Sequence, residues 1–457
     1  MNLQSLSTQN APAIPPEEVV LKVPHNNTTA LPPCYLNVET VAPVKLDTIV
    51  VNNRLGFSPQ EIQDRFLKHA GTIVTQEMVS RSSQPEALAK ELFTLTSPRE
   101  CGRVLDLPEV FILDGVPYLA NVKGGGVTSY LRNHGSVAGG LNFSELADPR
   151  KNILASFPFG NPRFDICGTL GVQTIDSCIE DYDGSNSLWN DLKIDAEKIV
   201  LYGRISELVG PSGERVSPQE LEKEGYFCDG LSPYLIFRLQ KDTLRITDLD
   251  LLNKDYDSAT VDRVIKERAD KWNLWEGRVT SPKTSQEGYI YSLISKLAYT
   301  ETRMMGAGLE DHNSSWYNVA RNTSLAGEVI DAGDIQPIHG NLNRVEKYCR
   351  KAQASNIRII VLILENCADL YEIELNKVAS AYVDGMRRGL EENKRFDDFW
   401  DPNLFNSTDV QSKVTDLIVR SLQWGARYLP QQSSVTNAPP NVKTIAKELG
   451  KAILNKL

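Results

Sequence analysis

The sequence predicts an α+β protein of two unequal lobes, a β-rich first half followed by a helical second half. Three observations carry that expectation. Runs rich in Val, Ile, Leu and aromatics, separated by turn residues, recur up to about residue 250. From Ser258 onward the apolar residues fall at helical spacing instead. A length of 457 residues, 41% hydrophobic and 24% charged, is enough for a sizeable core in two or three domains. The expected boundaries are an extended arm over 1–45, a β-rich lobe over 46–250, a helical lobe over 251–429, and a linker with a C-terminal helix over 430–457.

Each element has its own local reason. Residues 1–45 are rich in Pro, Asn and Thr and lack periodicity, which reads as an extended lead-in. "SPQEIQDRFLKHAG" opens with a Ser N-cap and Pro at the first helical position and stops at Gly71, so it is a helix. His69 sits at its end, where a cation suits the helix dipole. "VFILDGVPYLANVK" alternates about Asp-Gly, a hairpin signal, and runs into three glycines. "KIVLYGRISEL" and "PYLIFRLQKDTLRITDL" read as further strands.

Then "SATVDRVIKERADKW" and "SQEGYIYSLISKLAYTETRMMGAG" read as helices. So do "NLNRVEKYCRKAQAS", "NKVASAYVDGMRRGLEENKRF" and "VQSKVTDLIVRSLQWGARYL". "IRIIVLIL", Ile357 to Leu364, fits a strand or a buried helix, and periodicity does not separate them. Trp400 and Trp424 are expected in the core or in packing between lobes. "PQQSSVTNAPPN" reads as a linker, and the tail as a short basic amphipathic helix that docks on the body.

Composition narrows the function. A net charge of −10 argues against a protein that mainly grips nucleic acid or an anionic membrane. The seven cysteines are scattered and form no C-x-x-C pair, which argues against a zinc site or disulfide framework and for a reducing compartment. The five histidines form no H-E-x-x-H cluster. The N-terminus has no basic start or apolar core and does not resemble a secretory signal, and no apolar run reaches membrane-spanning length. The expected setting is cytoplasmic.

Three constellations carry chemistry. In "VKGGGVTSYLR", Lys123 precedes Gly124, Gly125 and Gly126; glycines let backbone amides approach a ligand closely, and a lysine meets phosphate as a point charge. A flexible loop with a solvated lysine explains the same words. Arg238 and Arg245 stand seven apart in "FRLQKDTLR". They could converge on a polyphosphate or form ordinary salt bridges. "NTSLAGEVID" sets Asn322 and Asp331 at the two ends of a tight hairpin, where an amide and a carboxylate suit Mg2+, or simply a capped turn.

Together and in this order, these segments resemble the selenoprotein O family of kinase-like protein adenylyltransferases. "KGGGVTSYLR" resembles its "KGAGRTPYSR" segment, the paired arginines keep its spacing, and "NTSLAGEVIDAG" resembles its "NMSILGLTIDYG" segment. "LGVQT", Leu170 to Thr174, is similar to its "LGIPT". The resemblance covers patches between about 110 and 335. It implies a bilobal protein-kinase-like fold that binds ATP in a flipped orientation and moves AMP to hydroxyl groups. It implies Lys123 on nucleotide phosphate, Arg238 and Arg245 as pocket arginines, and Asn322 and Asp331 as Mg2+ ligands, Asp331 in the place of the kinase DFG aspartate.

The sequence departs from the family at two points. Arg321 occupies the position of the acid that precedes the first metal ligand, and His312 lies ten residues before Asn322 rather than seven. Asp311 and His312 are therefore the candidates for the base. Glu145 and Asp165 are the candidate acidic partners of Lys123. The expected activity is AMP transfer from ATP to a protein or peptide hydroxyl, needing ATP and Mg2+. The alternatives are a phosphotransferase, a catalytically silent nucleotide-binding scaffold, and a small-molecule transferase.

Overall fold

Strand alternation builds the β part of this computed structural model, which describes residues 41–73, 76–93, 104–124, 173–210, 213–223, 233–255, 258–278, 283–311, 319–320, 322–392, 400, 402–405 and 407–457. The chain is a mixed α+β protein, with sheet in its N-terminal part and helices in its C-terminal part. It divides into two compact units, Met1–Tyr182 with Lys198–Gln240, and Asp183–Glu197 with Lys241–Leu457.

In the first unit, β1 (Val41–Pro43) pairs with β3 (Gly71–Ile73) as a small antiparallel ribbon. The main sheet contains β2 (Lys45–Val51), β4 (Val104–Leu113), β5 (Val116–Lys123), β6 (Lys198–Val209) and β8 (Tyr234–Gln240). Its order is β2-β6-β8-β5-β4, every pair is antiparallel, and the short β7 (Arg215–Val216) adds to β6. The β4–β5 turn is the expected Asp114-Gly115, with φ of 52° and 81°, the left-handed pair a tight hairpin needs.

Successive side chains of each strand point to opposite faces. One face is aromatic. Phe66 lies 5.1 Å from Phe57, 4.8 Å from Phe111 and 6.2 Å from Phe237, centroid to centroid. Phe66 comes from the expected "SPQEIQDRFLKHAG" helix. That run opens over Pro59–Glu61 with a capping box between Ser58 and Glu61, widens to π over Ile62–Phe66 and tightens over Leu67–His69. His69 stands at the end of that run, as expected. Burial pushes its imidazole below the ordinary 6.5, Lys68 adds to that, and its Nε2 has no hydrogen-bond partner.

The opposite face of the sheet is covered by α1 (Ile175–Asn186). Ile175, Cys178 and Tyr182 pack there with Ile199, Tyr202, Tyr234 and Ile236.

The second unit is helical, with α2 (Ile246–Asp255), α3 (Ser258–Trp275), α4 (Gln286–Gly306), α5 (Leu342–Cys367), α6 (Leu375–Glu392), α7 (Val410–Tyr428) and α8 (Pro440–Leu454). A two-stranded ribbon joins β9 (Leu309–Asp311) to β10 (Ile335–Pro337). The strand expected through "PYLIFRLQKDTLRITDL" stops at Gln240, and "ITDL" begins α2. The reason is local: the Arg245 N–H donates to Asp248 Oδ2 at 2.8 Å, which ties off the first turn of a helix.

"IRIIVLIL" lies inside α5 and is buried on every side. A helix with no polar face leaves no period for the sequence to display. Helix α6 packs against α4 so tightly that a Cβ on Gly385 would stand 2.0 Å from the Ser295 carbonyl oxygen. Helix α8 packs on α6, α5 and α7 through Val442, Ala446, Leu449 and Ile453.

Short helical turns at Leu429–Gln431 and Ser433–Thr436 precede α8, with Val435 buried. Trp400 is buried as expected and donates to the Gly306 carbonyl at 3.0 Å, whereas Trp424 is only half-buried and stacks on Tyr428. No helix among the described residues is long and apolar enough to cross a membrane.

Candidate nucleotide and metal site

Lys123 is the last residue of β5 and is 7% exposed. Its Nζ lies 2.7 Å from Asp181 Oδ2, and Asp181 is 3% exposed on α1. The strand brings the lysine to the helix-covered face and the helix returns an acid to meet it. The acidic partner is thus Asp181; the expected candidates Glu145 and Asp165 lie outside the described residues. Asp181 follows the buried Cys178 by three positions and precedes the buried Ser185 by four, so it lies on the inward face of its helix, where a lone acid is costly.

Gly124 continues from Lys123 with φ +96°, and a Cβ there would come within 2.9 Å of the Tyr234 carbonyl oxygen and 3.2 Å of Gln173 Cγ. Only glycine takes this turn without strain. Gly125 and Gly126 lie outside the described residues. Arg238, in the middle of β8, is 1% exposed. It sits opposite Asn121 in register, and its Nε donates to Asn121 Oδ1 at 2.6 Å. Asn121 Nδ2 in turn donates to Gln240 Oε1 at 2.9 Å. Lys123, Asn121, Arg238 and Gln240 therefore form a buried polar row on the α1 side of the sheet, a place where polar groups stay only if bonded.

Arg245, Asn322 and Asp331 belong to the second unit. Arg245 is 7% exposed and bridges in antiparallel fashion to Ser324. "NTSLAGEVID" is the expected hairpin. Thr323 pairs with Val329, the Ser324 N–H donates to the Glu328 carbonyl at 2.9 Å, and the Ile330 N–H to the Asn322 carbonyl at 2.8 Å. The closing bond puts Asn322 across from the residue before Asp331, so amide and carboxylate emerge at one end of the hairpin. Asn322 is 8% exposed. Asp331 holds φ 62° and ψ 52°, a left-handed conformation uncommon for any residue but glycine.

The hairpin is fixed by neighbours that bury its polar groups. The Leu325 N–H donates to the Leu244 carbonyl at 2.8 Å, and the Ile246 N–H to the Thr323 carbonyl at 3.0 Å. Glu328, fully buried, accepts from the Lys241 N–H at 2.9 Å. The Tyr289 hydroxyl donates to the Leu325 carbonyl at 2.6 Å, and burial holds that phenol well above its ordinary value, so it keeps its proton.

Beneath lies a layer of buried charge. Lys241 and Lys296 both reach Asp195, Lys296 also reaches Glu276 at 2.8 Å, and Arg268 forks onto Asp242. Burial alone would lower Lys296, but the Asp195 and Glu276 carboxylates outweigh it and raise its pKa. On the other side Ala196 runs parallel to Val329, the Glu197 N–H donates to the Val329 carbonyl at 2.8 Å, and the Asp331 N–H donates to Glu197 Oε1 at 2.9 Å.

Of the two candidate bases, Asp311 closes β9 opposite Ile335, and His312 lies outside the described residues, as does Arg321. No sequence motif marks Asp181, Asn121, Glu197 or Glu328, whose bonds are made across long stretches of chain. Among the described residues no group of three or more His, Cys, Asp or Glu is placed to hold a metal. The donor set of Asn322 and Asp331 is one amide and one carboxylate, which fits Mg2+, an ion that takes few protein oxygens and completes its shell with water and phosphate.

No model of a known protein family matches the chain, and no curated protein matches it.

Proposed function

We propose that the protein is a Mg2+-dependent, ATP-using nucleotidyltransferase with a kinase-like fold, of the kind its resemblance to selenoprotein O implies, moving AMP onto a hydroxyl of a protein or peptide in the cytoplasm. The observation that carries this reading is the buried Lys123–Asp181 pair between a strand and the helix covering its sheet. Protein kinases use such a strand-lysine and helix-acid pair to present the lysine to nucleotide phosphates. In this reading Lys123 and the glycine run take phosphate, and Arg238 and Arg245 add fixed positive charge. Asn322 and Asp331 hold Mg2+, which when bound neutralises and orients phosphate oxygens.

The acceptor hydroxyl oxygen bonds to the α-phosphorus, the bond between that phosphorus and the α–β bridging oxygen breaks, and pyrophosphate leaves. The hydroxyl proton passes to a base, for which Asp311 and His312 are the candidates. Such transfer asks for positioning and neutralised charge more than for covalent help, and the residues above supply both. Incubation with α-labelled and γ-labelled ATP tests the reading. Label from the α-position alone on an acceptor supports it, and label from the γ-position alone makes the protein a phosphotransferase instead.

Arg321, standing where the family has an acid, favours a second reading as a nucleotide-binding scaffold without turnover. An ATP- and Mg2+-dependent thermal shift without transfer of either label supports it.

A further inference from the structure

Asp331 adopts a left-handed conformation, and its backbone N–H donates to a side chain from a distant part of the sequence. We propose that Glu197 is a positioning residue for the cation site, setting the backbone of Asp331 so that its carboxylate is delivered in one orientation. The proposal rests on the nucleotidyltransferase reading of Asn322 and Asp331.

Four observations converge on it. Glu197 is fully buried, and its Oε1 accepts from the Asp331 N–H at 2.9 Å. Glu197 is itself fixed, because its own N–H donates to the Val329 carbonyl at 2.8 Å and its carbonyl accepts from the Ser185 hydroxyl at 2.5 Å. Asp331 has positive φ, and a non-glycine residue stays there only where its surroundings over-determine it. Finally, the last turn of α1 presses on the next residue: a Cβ on Gly184 would stand 2.2 Å from the Ala332 carbonyl oxygen. Glu197, Ser185 and Gly184 thus fix residues 331–332 from one side, while the hairpin ladder fixes Asn322 from the other. A residue that orients a metal ligand through a hydrogen bond behaves as an outer partner of the metal, and loss of such a partner weakens metal affinity.

The test is binding of a non-hydrolysable ATP analogue to the full chain, titrated with Mg2+ and followed by calorimetry, so that no turnover is needed. Glu197→Ala should raise the Mg2+ concentration for half-maximal binding by about tenfold or more. Glu197→Gln keeps an oxygen that accepts from the Asp331 N–H and should restore Mg2+ dependence close to that of the unaltered chain. Ser185→Ala, which leaves Glu197 intact, should give a smaller shift in the same direction and serves should Glu197→Ala fail to fold. If Glu197→Ala and Ser185→Ala titrate as the unaltered chain does, the positioning role is overturned while the nucleotide site stands. If Glu197→Gln is as weak as Glu197→Ala, the charge itself is required, and a purely positioning role is again overturned. If the unaltered chain binds no analogue at any Mg2+ concentration, the underlying functional reading fails, and the positioning role with it.

Discussion

Lys123 Nζ stands 2.7 Å from Asp181 Oδ2 with both side chains almost wholly buried. Leaving one charge of such a pair without the other costs about 3–5 kcal/mol, whereas replacing both with apolar groups of similar volume is often nearly neutral. Lys123→Met and Asp181→Leu should each lower the urea midpoint of unfolding markedly. The double variant should recover most of the loss and still bind no nucleotide. A double variant as unstable as the sum of the singles would mean that the two side chains do not act as a pair.

Asp331 offers a separation of stability from function. Glycine at this position relieves the left-handed backbone at φ 62° and removes the carboxylate. Asp331→Gly should leave the melting temperature unchanged or raised, the relief being worth about 1 kcal/mol, and abolish the Mg2+-dependent shift with ATP. Asp331→Val, a branched residue forced into the same conformation, should melt lower than either.

The α4–α6 contact is sterically tight, with the Ser295 carbonyl oxygen 2.0 Å from where a Gly385 Cβ would sit. Gly385→Val should cost at least the roughly 1–3 kcal/mol typical of overpacking, because backbone rather than a mobile side chain blocks it. Urea unfolding followed by circular dichroism reads this directly.

His69 predicts a pH dependence. Burial lowers its folded-state value below the unfolded 6.5, so the unfolded chain takes up the proton first as pH falls. Its contribution is fully present above 6.5 and is lost on acidification below it. The fall in unfolding midpoint between about pH 7.5 and 5.5 should therefore be smaller in His69→Gln than in the unaltered chain.

Cys178, Cys349 and Cys367 are buried thiols, and burial pushes Cys367 up to about 12 and raises Cys349 as well. A thiolate is the reactive form, so maleimide should spare these three in the native chain and label them after urea unfolding, as peptide mapping would show.

The residues that announced themselves in the sequence did so through local chemistry. Asp114-Gly115 specifies its turn, Ser58 and Glu61 cap their helix, and the hairpin over 322–331 is written in its own small residues. What stayed hidden depended on partners far along the chain. Asp181 meets Lys123 across 58 positions, and Glu197 meets Asp331 across 134. No window of sequence contains either pair. The second half of helix α5, "IRIIVLIL", was ambiguous for the opposite reason, since burial on every side removes the polar stripe by which a helix is recognised.

The discontinuous make-up of the helical unit has a practical corollary. Because Asp183–Glu197 belongs with Lys241–Leu457, a fragment cut after Gln240 would lose the strand segment that runs beside Val329 and the acceptor for the Asp331 amide. No single cleavage point yields an intact helical half. Dissection of this protein calls for a graft that carries the fifteen-residue excursion across, or for a circular permutant that rejoins it.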